Sequence, residues 1–223
     1  MAKITHLIYH HFGGLGQDNY ASTQHLTYHH VDQAHANRWR EYENDWEAYT
    51  SELNGSHVGY NIVIEKDGSW KQARYIGEET AGVSGYNYNG VHMALAGNFN
   101  RMPGGRIVDT PTQEQINTAT MLGKAIVTGR AESVGVKVKA GTVIKIPFAN
   151  VLPHRALAPT MCYGTSLSDT FFRDKVVADV VSEVKILTTL VNVYVKLVEL
   201  LRVKQIQFGT DRRFDDPDNL QLD

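Results

Sequence analysis

The sequence predicts an α/β protein in which strands and helices alternate around one sheet, with a separate helical segment at its C-terminal end. Three observations lead there. Compact apolar runs of strand length recur between residues 4 and 152, separated by stretches with helical spacing. An Asp67-Gly68 pair sits between two runs of alternating apolar and polar residues, the strongest hairpin signal in the chain. Residues 174–208 contain neither Gly nor Pro and are rich in valine.

The elements follow in order. Ile4 to Tyr9 reads as a short, partly buried strand that ends at His10, ahead of the breakers Gly13, Gly14 and Gly16. From Leu26 to Leu53, Val31, Trp39, Tyr42, Trp46 and Tyr49 recur at helical spacing up to Asn54-Gly55, which predicts one or two helices. His57 to Arg74 forms the hairpin, with Tyr60 opening its first strand. Val91 to Ala96 is a strand between Asn89-Gly90 and Gly97-Asn98. Thr112 to Thr128 is a helix with Thr112 as N-cap and Gln115 completing a capping box. Val143 to Leu152 is a last strand, interrupted by Pro147, that delivers Pro153-His154-Arg155.

Composition bounds the function. With 223 residues, 42% of them hydrophobic and 21% charged, the chain can bury a substantial core. A formal charge of -2 offers no overall attraction to nucleic acid. The lone cysteine, Cys162, excludes an intramolecular disulfide and leaves a thiol free for chemistry. The N-terminus has no secretory pattern, and no run of about 20 uncharged apolar residues suits a spanning helix. Both features lead us to expect a protein made in the cytoplasm and not inserted in a membrane.

Nine of the ten histidines lie between His6 and His92, and the tenth, His154, precedes Cys162 by eight residues. Imidazole and thiolate are both zinc ligands, and a catalytic zinc needs three protein ligands with one position left for water. A further histidine must therefore come from elsewhere, and His10 or His11, at a strand end, can supply it.

These residues carry a resemblance. Leu-Ile-Tyr-His10-His11, Val-Gly-Tyr60-Asn-Ile-Val-Ile-Glu-Lys-Asp-Gly, Gly85-Tyr-Asn-Tyr-Asn-Gly-Val with Leu95-Ala-Gly97-Asn-Phe, and His154-Arg-x4-Thr160-Met-Cys162 together resemble the type-2 N-acetylmuramoyl-L-alanine amidases. That family includes amidase-type phage lysozymes and the peptidoglycan recognition proteins, and the resemblance spans residues 4–172 in family order. It implies a central mixed β-sheet flanked by helices and one Zn2+ held by His10, His154 and Cys162, with His11 a neighbour. It implies catalytic roles for Tyr60, beside the scissile amide, and for Thr160. Tyr86, Asn87 and Asn89 are candidate contacts to the muropeptide, although their loop is equally explained by turn chemistry. Two departures stand out. Ala94 occupies a position where some of these amidases carry a glutamate, which removes a carboxylate base there, and Thr80 to Ser84 lacks a histidine common in the family.

The implied activity is hydrolysis of the amide between N-acetylmuramic acid and L-alanine in bacterial peptidoglycan, by an endolysin that reaches the wall after release from the host cytoplasm. A cytoplasmic muropeptide-recycling amidase and a non-catalytic peptidoglycan-binding module are the alternatives. Other histidines have plainer readings. His25 and His29, four apart, are assigned to a solvated or substrate-facing helix face, and His35 and Arg155 to structural contacts. In the tail, Val180, Val184, Leu187, Val191, Tyr194, Val198 and Leu201 follow a heptad pattern, flanked by Ile186, Leu190, Val193, Leu197 and Leu200. Residues 176–204 are thus expected to pack on the domain or to form a homo-oligomer, although Val191 to Leu197 also alternates like a strand. The expected organisation is a catalytic domain over 1–172, a helical segment over 173–208 and a disordered acidic tail over 209–223.

Overall fold

The computed structural model describes residues 2–13, 20–43 and 49–210. Its strands are β1 (Lys3–Ile4), β2 (His6–His11), β3 (Ile62–Ile64), β4 (Trp70–Gln72), β5 (Gly90–Leu95), β6 (Val143–Ile144) and β7 (Val151–Pro153). Five of them form one sheet in the order β4-β3-β5-β2-β7, and β1 pairs with β6 separately. β2 runs parallel to both β5 and β7, β3 runs parallel to β5, and only β4 is antiparallel, as the other arm of the Asp67-Gly68 hairpin. The sheet is therefore mixed, as the sequence predicts.

The hairpin strands are shorter than predicted, Ile62–Ile64 and Trp70–Gln72, so Tyr60 precedes β3 instead of opening it, and the first and last strands also differ from their predicted extents. The first breaks at Thr5, whose N–H turns aside to the Asn89 carbonyl, and then continues past Tyr9 to His11, so His10 lies inside β2. The last is divided. Pro147 has no N–H to donate to a ladder, a 3-10 turn at Phe148–Asn150 follows it, and β6 and β7 join different sheets.

Helix α1 (Tyr28–Arg38) passes into a single π-helical turn, Trp39–Glu43. Together they cover part of the 26–53 stretch in which one or two helices are predicted, and residues 44–48, with Trp46, lie outside the described residues. His30 takes the usual Glu or Gln place in its capping box, its Nδ1 accepting the Thr27 N–H at 3.1 Å. His25 precedes the helix and does not share a face with His29. Helix α2 (Gln113–Val127) matches its prediction, with Thr112 Oγ1 accepting the Gln115 N–H and Gln115 Oε1 accepting the Thr112 N–H.

The period of two along each strand sorts side chains onto two faces of the sheet. Leu7, Tyr9, Ile62, Ile64, Val91, Met93 and Leu95 join Leu122 and Ile126 of α2 in the larger core. Val63, Ala94 and Ala96 meet Tyr28 and Val31 of α1 in a smaller one. His10, paired in register with Ala94, belongs to this second face.

Helix α3 (Phe171–Thr210) is continuous through Val191 to Leu197, so the strand alternative there does not hold. The chain divides into two compact units, Met1–Asp179 and Val180–Asp223. In the first, Phe172 and Val176 from the start of α3 are buried. In the second, the apolar side chains from Val181 to Leu201 are largely exposed. Residues 211–223 of the predicted acidic tail lie outside the described residues. Among the described residues, no helix is long and apolar enough to cross a membrane.

Candidate metal centre

Parallel strands bring two of the predicted ligands together. β2 and β7 are neighbours in register Tyr9↔Pro153, so the residues that follow, His10 and His154, emerge side by side with ring centroids 4.8 Å apart. This is the carboxyl end of parallel strands, where open α/β sheets place their ligands. Cys162 returns to the same point on a loop. The Arg155 N–H donates to the Cys162 carbonyl at 2.7 Å, and Cys162 Sγ lies 3.6 Å from His10 Nδ1. One ligand atom from each of His10, His154 and Cys162 can be chosen so that all lie within 4.8 Å of one another.

Arg155 holds this loop shut. Its side chain pairs with Asp169 at 2.6 Å, donates to the carbonyls of Gly164 and Leu167, and lies over the Tyr163 ring. This is the structural role expected of it.

The donor chemistry fits a metal. Burial lowers the proton affinity of His10 and His154, so both rings are neutral near pH 7 and each can offer a lone pair. Burial pushes the Cys162 thiol up to about 12, and the nearby Arg155 charge offsets this only in part. A thiol in that setting keeps its proton until a cation displaces it. Two neutral imidazoles and the thiolate formed when Cys162 gives up its proton are a zinc-competent set.

The other predicted residues divide. The Tyr60 ring lies 4.8 Å from the His10 ring and 5.3 Å from that of His35, and burial raises its hydroxyl pKa well above 10. It remains a neutral donor beside the site. Two contacts set its position: the Gly59 N–H donates to His35 Nδ1 at 2.9 Å, and Trp39 Nε1 donates to the His57 carbonyl. Thr160 is exposed, and its Oγ1 accepts the Cys162 N–H at 3.2 Å, so it supports the thiol's backbone. His11 turns away from the cluster and accepts the Phe99 N–H.

Tyr86, Asn87 and Asn89 hold their own loop. The Asn87 carbonyl and Oδ1 accept from Thr80 and Val83, the Tyr86 ring packs edge-on against His6, and the Asn89 carbonyl accepts from Thr5 and His6. Asn89 Oδ1 is buried with no hydrogen-bond partner among the described residues.

One residue escaped the sequence reading. His92, on β5, is fully buried with Nδ1 2.9 Å from His10 Nε2. The signal was its parity: Val91, Met93 and Leu95 alternate with His92 and Ala94, which places the imidazole on the second face.

No family model and no curated protein matches the sequence. In structure the chain is similar to amidase endolysins and peptidoglycan recognition proteins. The N-acetylmuramoyl-L-alanine amidase LysC of Clostridium intestinale URNW aligns over 77% of this chain and 84% of its own, at 19% identity and a TM-score of 0.48. The endolysin of the Thermus scotoductus bacteriophage Ph2119 aligns over 79% and 86%, at 15% identity and 0.48. Drosophila peptidoglycan recognition protein SA aligns over 75% and 76%, at 17% identity and 0.48.

Proposed function

We propose that this protein is a zinc-dependent amidase that cleaves the bond between N-acetylmuramic acid and L-alanine in peptidoglycan, serving as a phage endolysin. The convergence of His10, His154 and Cys162 at the carboxyl ends of β2 and β7 carries the reading. The order of the amidase-like motifs along the chain supports it. An endolysin would be made in the host cytoplasm and meet the wall after release.

Bound at these three residues, zinc would supply a Lewis acid that activates water and polarises the amide carbonyl. The chain supplies the rest. His10 and His154 present lone pairs from rings that burial keeps neutral. Tyr60, still protonated, donates a hydrogen bond to the oxygen on which negative charge develops as the amide is attacked. Thr160 holds the Cys162 backbone in place. With Ala94 where a carboxylate could stand, no acid side chain at that position takes the proton.

Zinc content and the clearing of purified cell walls, measured for wild type and Cys162→Ser, test this. We expect one zinc per chain and clearing by wild type, with both lost in the variant. Equal clearing by the two proteins overturns the zinc mechanism. Wall binding by wild type without clearing makes the protein a binding module.

The second unit supports a further part of the reading: residues 176–204 join two copies of the chain. Val184, Val191 and Val198 occupy one position of the heptad and Val180, Leu187, Tyr194 and Leu201 the other. A β-branched residue at every first position and leucine at two of the four second ones suits a parallel pair of helices. Twelve apolar side chains from Val181 to Leu201 are 45–67% exposed. Sedimentation should give a dimer mass for the full chain and a monomer mass for Leu187→Asp/Val191→Asp. Identical masses for the two proteins remove this reading.

A further inference from the structure

We infer that His92 is a positioning residue for the metal centre: it sets the tautomer and ring orientation of His10, so that His10 presents Nδ1 to Cys162 and His154. The inference rests on the metal-site reading above, and its test separates the two.

The argument starts at a carbonyl. His92 Nε2 lies 3.3 Å from the Tyr86 carbonyl oxygen, which can only accept a hydrogen bond, so the proton of His92 sits on Nε2. A neutral imidazole carries one such proton, which leaves His92 Nδ1 with a lone pair. That lone pair is 2.9 Å from His10 Nε2. His10 must therefore carry its own proton on Nε2, and its Nδ1 is left bare. Nδ1 is the His10 atom that lies 3.6 Å from Cys162 Sγ. The chain of bonds from Tyr86 through His92 to His10 thus prepares the one nitrogen that faces the other two ligands.

Both imidazoles are fully buried, so no water competes for these bonds. The slot for His92 is made by two glycines. A Cβ on Gly82 would stand 2.2 Å from His92 Nδ1, and one on Gly90 would stand 2.8 Å from His92 Nε2. Asn61 fixes the backbone on either side: its Oδ1 accepts the His92 N–H, and its own N–H donates to the His92 carbonyl. A metal-bound histidine usually donates its second ring N–H to a fixed acceptor, most often a carboxylate, a backbone carbonyl or water, and loss of that acceptor weakens metal binding about 10–100-fold; here an imidazole nitrogen takes the place.

The test uses the full chain in three forms: wild type, His92→Leu, and His92→Asn, whose Oδ1 can replace Nδ1 as acceptor. Zinc affinity is measured by competition with a chelator, alongside the melting temperature of each metal-free protein. We expect His92→Leu to bind zinc about 10–100-fold more weakly and His92→Asn to recover most of the loss. Zinc affinity of His92→Leu within twofold of wild type overturns the inference, as does equal weakening in both variants. Should His92→Leu not fold, the tautomers are read on metal-free wild type by long-range 15N correlation of the imidazoles. Protons on Nε2 of both rings support the inference; a proton on Nδ1 of His10 overturns it. If wild type binds no zinc, the metal reading fails, while the tautomers still decide the part played by His92.

Discussion

Acid should destabilise the metal-free protein because it buries neutral histidines, and the size of the effect follows from the structure. His11 and His92 are at most 5% exposed, and burial is the main cause that lowers them from 6.5 to about 3 and about 4 respectively. Each also spends a lone pair as an acceptor, His11 from the Phe99 N–H and His92 from His10. Neither can be protonated in place without losing that bond. In the unfolded chain both regain an ordinary value near 6.5, so below that pH the unfolded state binds more protons and stability falls as pH falls. At about 1.4 kcal/mol for each tenfold difference in proton affinity, each ring removes about 2 kcal/mol between pH 7 and pH 5. The pair removes about 4 kcal/mol, a large share of a typical stability of about 5–15 kcal/mol. His10, also held well below the ordinary imidazole value by burial, adds to the loss in the same direction. Denaturant unfolding of the chelator-treated protein at pH 7, 6 and 5 measures this. His11→Asn, which keeps an acceptor for Phe99, should lower the pH 7 to pH 5 difference by about 2 kcal/mol whatever it does to stability at pH 7. A wild-type loss below about 1 kcal/mol, or an unchanged slope in His11→Asn, would refute the reasoning.

Two more outcomes follow from named contacts. Tyr60→Phe removes the neutral donor beside His10 and should cut the turnover of wall fragments about 10²-fold. Zinc content should not change, so a variant that loses its zinc contradicts the assigned role. Gly123→Ala places a Cβ 2.3 Å from the Tyr9 hydroxyl and 2.9 Å from Val176 Cγ2, where the hydroxyl donates to the Ala119 carbonyl. Overpacking of about 1–3 kcal/mol should outweigh the gain of about 1 kcal/mol in helix propensity, and a more stable variant in denaturant unfolding would contradict this.

The sequence made some of these features legible and hid others for physical reasons. Thr112 with Gln115 and Asp67-Gly68 act through neighbours along the chain, so their elements appear where the pattern puts them. The helical spacing from Val31 to Tyr49 records which residues are apolar and not what they pack on; the Trp39 indole donates to the His57 carbonyl, a tertiary contact invisible in spacing. β6 and β7 divide because strand partners lie far away in sequence, Val143 at Lys3 and Val151 at Leu7. The cluster of His10, His154 and Cys162 was legible because its motifs are local and chemically rare in this chain, which has one cysteine. His92 was not, because a histidine among apolar strand residues gives no sign of its partner until His10 and Tyr86 are placed beside it.

The three candidate ligands are held by different means, and this bears on how the site is built. His10 and His154 owe their proximity to strand order: β2 and β7 cannot pair in register Tyr9↔Pro153 without bringing the next residues together. Their placement is as secure as the sheet itself. Cys162 has no strand to hold it. Its position depends on the loop that follows His154, which Arg155 ties to Asp169, Gly164 and Leu167, and on the Arg155 N–H to its own carbonyl. Arg155 directly follows a ligand, so the residue that closes the loop is fixed by the same strand end that delivers His154. Burial then acts on all three at once: it keeps the imidazoles neutral and raises the thiol to about 12. The histidines are ready to bind a cation without losing a proton, and the thiol alone must give one up, so the cost of loading the site is concentrated on Cys162.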